Sequence, residues 1–428
     1  PAPGFLPREG LRSVPGAGSL VKSPDMNTTS CSRRDLVLGA IAVAAAAPLF
    51  PRRLAAHEKT WTVGVIGDTD RGGYGHGLDT VWLGLPETKI TGLADPVDGG
   101  RARAIERLQL SPDAAFPDYR EMLARTRPDL VAVCPRHIDQ HKYMILAAIE
   151  SGAKGIYVEK PFCRDLAEAD AIVAACEKTR TKIALAHRNR SHPALPVVAG
   201  MVRDGAIGRW LEIRARGKED ARGGSLDLWV LGSHLLNLAL FLTGPGRSVS
   251  ATVLQDARPV VASDVKPGAE GVGPLAGNEI HARFEMENGI PFFFDSVAGA
   301  GVRESGFGLQ LIGTEGLIDL RADTEPFAQY LEGSPFRPRS ESKGWIPISS
   351  AGPGLPEPIT DLQSRVAGHR DAVRDLLAAI TEDRPTMCSE HDGREILELT
   401  MGVFESHRRG GARVELPLAE RGNPLTKL

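Results

Sequence analysis

The chain has 428 residues, enough for two domains at roughly 150 residues each. Hydrophobic residues make up 42% and charged residues 25%, the balance of an ordinary globular protein. A formal net charge of −3 and an aromatic content of 5% exclude the basic, base-stacking footprint of a nucleic-acid binder.

Residues 1–25 are rich in Pro, Gly and Ser, and Met26 is a candidate initiator. The order that follows is Arg33-Arg34, an apolar run from Leu36 to Phe50, and small residues at Ala44–Ala47 and Ala55-Ala56. That order predicts a twin-arginine signal and export through the Tat machinery, so residues 1–58 are read as leader and signal region. The apolar run falls short of the about 20 residues of a spanning helix, and an uncleaved membrane anchor is the alternative. The five cysteines (Cys31, Cys134, Cys163, Cys176, Cys388) show no C-x-x-C spacing. They are expected to be small buried fillers rather than zinc ligands or disulfide halves.

From Trp61 the pattern alternates strand and helix. Trp61–Ile66 is a strand leading into Gly67 and the glycine-rich stretch Asp68–Gly77, with glycines at 72, 73 and 75 and Thr69 inside it. A strand entering such a turn before a helix makes a phosphate cradle, with close backbone approach and a helix N-terminus for the pyrophosphate. The next strand, Lys89–Ala94, ends at Asp95, placed to accept both adenosine ribose hydroxyls and so to favour NAD. Arg71 keeps NADP open, since an arginine there can neutralise a 2′-phosphate. Further strands at Pro128–Val133, Gly155–Val158 and Lys182–Ala186 alternate with helices at 101–108, from 118, 140–151 and 166–178. This alternation predicts a doubly wound parallel sheet with its ligand at the carboxyl ends of the strands, where Gly67, Asp95, Pro135, Glu159-Lys160 and His187 stand.

At Val158-Glu159-Lys160-Pro161-Phe162 the chain resembles the Gfo/Idh/MocA family: glucose–fructose oxidoreductase, inositol dehydrogenase and the rhizopine-catabolism proteins. The Gln140-His141 helix, Ala186–Arg190, Gly205–Gly208 and Ile312–Gly316 carry the likeness across about residues 60–410. The resemblance implies an α/β protein: a Rossmann domain over 59–187, then a C-terminal α/β domain over 188–428 with an open mixed, largely antiparallel sheet. It also implies a tightly bound nicotinamide, a sugar or polyol substrate, and a homo-oligomer formed through the second sheet. Carried over by position, Lys160 orients or activates the substrate, and His234 is the general acid/base. Gly67, Thr69, Arg71, Gly72, Asp95, Pro135, Arg136, His141, Glu159, Lys160 and Arg190 are the expected cofactor contacts.

The stretch Gly223–Leu242 reads as one apolar helix, on which Asp227 and His234 lie seven apart, two turns along one face. Family members carry Asp four residues before the histidine, where this chain has Val230, so Asp227 is the candidate partner. Strands are expected at 280–287, 290–297 and 309–320, loops at 263–278 and 332–358, and closing helices near 363–381 and 390–408. Three activities are compatible with these residues. The first is hydride transfer between a sugar or polyol C–OH and the nicotinamide. The second is an NAD-dependent glycosidase working by transient oxidation and elimination, and the third is a non-catalytic sugar- or nucleotide-binding protein.

Overall fold

The computed structural model describes residues 60–301, 307–334, 336 and 343–428. The expected leader, the twin-arginine pair and Cys31 lie outside them. The remaining four cysteines are buried and unpaired.

The first sheet has six parallel strands: β1 (Trp61–Ile66), β2 (Thr88–Ala94), β3 (Ala115–Phe116), β4 (Leu130–Val133), β5 (Gly155–Val158) and β6 (Lys182–Leu185). Their order is β3-β2-β1-β4-β5-β6, the doubly wound arrangement. Strands β4 and β5 are buried at every residue, because helices cover both faces of a parallel sheet. Those helices are α1 (Asp98–Leu108), α2 (Tyr119–Thr126), α3 (His141–Glu150) and α4 (Leu166–Thr179). Asp118 and Asp165 cap α2 and α4 by accepting backbone N–H bonds in the first turn.

The β1–β2 connection departs from the expected cradle. No α-helix follows the glycine loop; turns run to a single 3₁₀ turn at Val81–Gly84. Positive φ at Gly72, Gly73, Gly75 and Gly77 explains this, since four left-handed residues in six interrupt any right-handed helix.

Helix α5 (Ala194–Arg203) leads to the second sheet. Its strands are β7 (Trp210–Arg216), β8 (Gly246–Gln255), β9 (Glu279–Met286), β10 (Pro291–Val297), β11 (Gly308–Gly313), β12 (Gly316–Arg321), β13 (Ala328–Glu332), β14 (Ile346–Ser349), β15 (Gly352–Pro353) and β16 (Val414–Glu415). The order is β15-β14-β13-β12-β11-β7-β10-β9-β8-β16, antiparallel throughout except for the parallel pair β7–β10. Buried and more exposed residues alternate along β9 and β10, so one face is core and the other open. The stretch 332–358, expected to be loop, supplies β14 and β15 to the sheet edge.

Helix α6 (Ser225–Thr243) meets β10, with Gly232 against the Phe294 ring and Asp227 bonded to Ser296. It is apolar enough to span a membrane by composition, yet 78% of its apolar window is buried in the protein, so that apolarity serves the core. It widens into a π-turn at Leu228–Gly232. After the second sheet the chain returns to the first: α7 (Arg370–Glu382) packs on β5 and β6, while α8 (Glu390–Arg408) spans from α4 to β8.

Candidate active site

The carboxyl ends of β1, β4 and β5 meet the glycine loop closely. A Cβ on Gly75 would lie 2.3 Å from Glu159 Oε2 and 2.7 Å from the Cys134 carbonyl, and one on Gly72 would lie 2.7 Å from the Arg136 backbone nitrogen. Both glycines also hold positive φ, so a side chain is excluded twice over. Nothing stands within 4 Å of the Cβ position of Gly73, which leaves the outer side of the loop open.

Glu159, at the end of β5, is fully buried and organises this edge. Its Oε2 accepts from the His76 backbone N–H at 3.0 Å and pairs with His76 Nδ1 at 2.9 Å, while Oε1 accepts from the Lys160 N–H at 3.0 Å. Burial pushes its pKa up, but the His76 bond and the nearby positive charges outweigh burial and hold it below the usual carboxylate range. Next along the chain, the Lys160 ammonium is buried and donates to the Val230 carbonyl in the π-turn of α6 at 3.1 Å. Burial lowers its pKa, and the Glu159 charge opposes that shift. A π-turn at a functional site is a recurrent device. Here it presents a carbonyl to the lysine.

Lys160, His234, His76 and His369 share one cavity of about 410 Å³, closed by Ala186, Arg188, Lys218, Leu231, Phe307, Ala322, Asp323 and Ala367. His234 Nδ1 lies 3.4 Å from His187 Nδ1, with the rings edge to face and their centroids 5.0 Å apart. Burial, then the Lys160 charge, pushes His187 down to about 3 and His234 well below neutrality. Both rings are neutral at physiological pH.

Asp227 is not the partner of His234. Its Oδ2 accepts from Ser296 Oγ at 2.6 Å and from the Glu219 N–H at 3.0 Å, inside the second domain. The π-turn is the reason: seven residues return to one face only in a regular α-helix, and the wider turn between 227 and 234 rotates His234 off that face. Asp227→Ala should therefore lower unfolding stability by roughly 2–4 kcal/mol, because two buried donors lose their acceptor. The pH profile of kcat should stay unchanged. A melt paired with that profile checks this, and a moved profile would link Asp227 to the histidine after all.

Other expected contacts are placed differently too. Asp95 is fully buried and already served by four donors: Thr69 N–H and Val97 N–H on Oδ1, Thr69 Oγ1 and Tyr74 Oη on Oδ2. It fastens the loop rather than standing free for a ribose, and the Tyr74 ring packs over Gly67. Arg71 is ion-paired with Asp139. His141 is buried between two carbonyls, Pro135 O at 2.7 Å and Phe162 O at 3.0 Å, and so ties the ends of β4 and β5 together from behind. Arg190 stacks over Phe241 at 4.2 Å and reaches Asp392 at 3.4 Å through Nη2, while its Nε and Nη1 are buried without a hydrogen-bond partner. Arg136 remains exposed beside Gly72.

Three ring nitrogen carriers in or against this cavity were not among the expected catalytic or cofactor contacts, although His187 was placed at a ligand-binding strand end. His76 reads in sequence as one more member of a glycine loop. His187 reads as a strand end. His369 follows a loop far along the chain and holds φ +61, with Tyr157 Oη 2.6 Å from its Nδ1. Burial pushes the His369 pKa down to about 4. The Gly368-His369 pair before a helix was the available signal for the last of them.

Residues 62–187 match the model of the Gfo/Idh/MocA oxidoreductase family, NAD-binding Rossmann fold. Over those residues the six-stranded parallel sheet has the Rossmann order that the matched model describes. D-apiose dehydrogenase of Paraburkholderia graminis is 30% identical over 200 residues, which is 43% of this chain and 51% of that protein. The chain therefore spans about half the length of that relative. Levoglucosan dehydrogenase of Pseudarthrobacter phenanthrenivorans is 23% identical over 355 residues, 75% of this chain and 88% of the relative. A solved levoglucosan dehydrogenase in complex with NADH and L-sorbose superposes with a TM-score of 0.66 at 20% identity, covering 84% of this chain and 99% of that one. These matches support the resemblance found in the sequence, and the last of them shows a shared two-sheet fold.

Proposed function

We propose that the protein is an NAD-dependent oxidoreductase that moves a hydride between a sugar or polyol C–OH and the nicotinamide. The observation that carries this reading is one cavity, at the carboxyl edge of the Rossmann sheet, holding both the Lys160 ammonium and the His234 imidazole. The relatives whose names are sugar dehydrogenases support it.

The residues present fit a dinucleotide: a sterically glycine-dependent loop over the ends of β1 and β4, an exposed Arg136 beside it, and the buried Glu159 carboxylate, paired with the exposed His76, next to the lysine. Bound there, the nicotinamide would accept the hydride. His234 takes the hydroxyl proton as general base. In the tautomer that carries its proton on Nδ1, facing His187 Nδ1, the Nε2 lone pair is free, and burial favours the uncharged ring. Lys160 donates to the substrate oxygen and stabilises the charge that grows as the proton leaves. Glu159 balances the lysine and fixes His76. Phe307, Leu231 and Ala367 give the cavity an apolar wall beside these polar groups.

The twin-arginine reading adds a location, namely export with the cofactor loaded before transport, because no dependable free NAD pool exists outside the cytoplasm. Mass spectrometry of the supernatant from heat-denatured purified protein should show stoichiometric NAD or NADH. A panel of aldoses, anhydrosugars, polyols and aryl glycosides should then give reduced nicotinamide from at least one of them. Protein that carries neither NAD nor NADP and takes up neither contradicts the proposal. Aglycone release with no net NADH would move it to the glycosidase reading.

A further inference from the structure

The redox cavity is bounded on one side by Arg188. A second cavity, of about 520 Å³, begins at the same wall and shares Arg188, Ala322, Asp323 and Ala367 with the first. Its depth is set by His192, which is 3% exposed and stacks on Phe327 with centroids 4.3 Å apart and ring planes 26° apart. One backbone contact sets the tautomer of the neutral ring. His192 Nδ1 accepts from the Ala194 backbone N–H at 3.1 Å, so the proton of the neutral ring sits on Nε2. That Nε2–H is buried with no hydrogen-bond partner. Glu325 Oε1 lies 3.6 Å from it, beyond hydrogen-bond reach, while Glu325 Oε2 is occupied by the Phe327 N–H at 3.0 Å.

A buried donor without a partner costs free energy unless a ligand or water completes it. A donor and a carboxylate acceptor 3.6 Å apart suit one hydroxyl, which can accept from the first and donate to the second. Charge narrows the ligand further. The second cavity carries Arg188 and Arg321 against Asp323, Glu325 and Glu357, an excess of one negative charge, which disfavours a nucleoside diphosphate or sugar phosphate. Glu357 is already engaged by Ser350 and Ile359, whereas the His192 Nε2–H and Glu325 Oε1 stand together as a donor and acceptor able to read a hydroxyl.

From this we infer that the second cavity is a subsite for a neutral sugar ring, so that the substrate is a disaccharide or larger glycoside. One ring is presented to Lys160 and His234 and the next is held by His192 and Glu325. The inference rests on the hydride-transfer reading for the first ring, but the subsite itself is a binding claim and can be read without turnover.

Calorimetry on the full chain loaded with NADH supplies the test, with cellobiose, maltose, trehalose and lactose set against glucose and galactose. At least one disaccharide should bind about tenfold tighter than both of its component sugars. His192→Phe keeps the stack on Phe327, removes the donor and should erase that advantage, leaving monosaccharide affinity within about twofold. Glu325→Ala, at a side chain 64% exposed, should do the same without touching the core. Equal affinity for all disaccharides and their components overturns the subsite, and so does an equal loss for both classes in the two variants. Absence of NADH formation with tight disaccharide binding would instead sink the redox reading and leave the subsite standing.

Discussion

Lys160→Met is expected to lower kcat/KM about a thousandfold while leaving NADH affinity within about threefold. The ammonium is a buried positive charge in the same cavity as His234, and the Val230 carbonyl orients it. Methionine keeps the length and removes the charge. A donor aimed at developing oxyanion charge in a water-poor cavity is worth about 10²–10³ in rate when deleted. The fold should tolerate the change, because the variant no longer has to bury an ammonium. Lys160→Arg should not rescue, since a planar fork does not fit the geometry of a point donor. The same group sets the alkaline side of the pH profile. Burial lowers its pKa, so the charged form is lost as pH rises past a value below the ordinary 10.5, and activity should fall there. Steady-state rates over pH, with NADH fluorescence quenching for affinity, check both statements. A variant retaining a tenth of the activity would remove Lys160 from the chemistry.

Stability should drop steeply in mild acid. His187 and His369 are 4% and 3% exposed, and burial places their folded pKa values at about 3 and about 4. In the unfolded chain each titrates near 6.5. As pH falls below that value the unfolded state binds protons that the native state refuses, so stability rises with pH in this window and is lost on acidification. At pH 5 each histidine lies about 1.5 units below its unfolded value, a loss of roughly 2 kcal/mol apiece. His141 and His234 shift in the same direction. Two such losses are a large share of a typical 5–15 kcal/mol. Urea unfolding at pH 7.5, 6 and 5 should show the decline, and His187→Gln should remove its own share, roughly 2 kcal/mol at pH 5. A stability independent of pH across that range would show that these rings are solvated or paired in the native state.

Much of the Rossmann half is legible in the residues, because strand identity there depends on local runs such as Leu130–Val133 and Gly155–Val158 that are apolar throughout. Lys160 is legible for the same reason, since it directly follows such a run. What escapes sequence reading is set by contacts that local pattern does not encode. Asp95 looks like a ribose acceptor until Tyr74, 21 positions earlier, turns out to donate to it. Asp227 and His234 have the right spacing for one helical face, but Leu-Trp-Val-Leu-Gly fits a π-turn as readily as an α-turn and carries no marker of the choice. His369 reaches the cavity from a loop near the C-terminus, held by a tyrosine 212 positions away. Strand β14 hides in a stretch whose Gly, Pro and Ser content reads as loop, although Ile346 and Ile348 alternate as strand residues do.

The direct test is a crystal structure of the purified protein with NADH. The nicotinamide ring should lie in the cavity between Lys160 Nζ and the His234 imidazole, with its pyrophosphate over the Gly72–Gly73 turn. A dinucleotide bound elsewhere, or a ring separated from those two nitrogens by the wall at Arg188, would contradict the assignment of this cavity as the seat of hydride transfer.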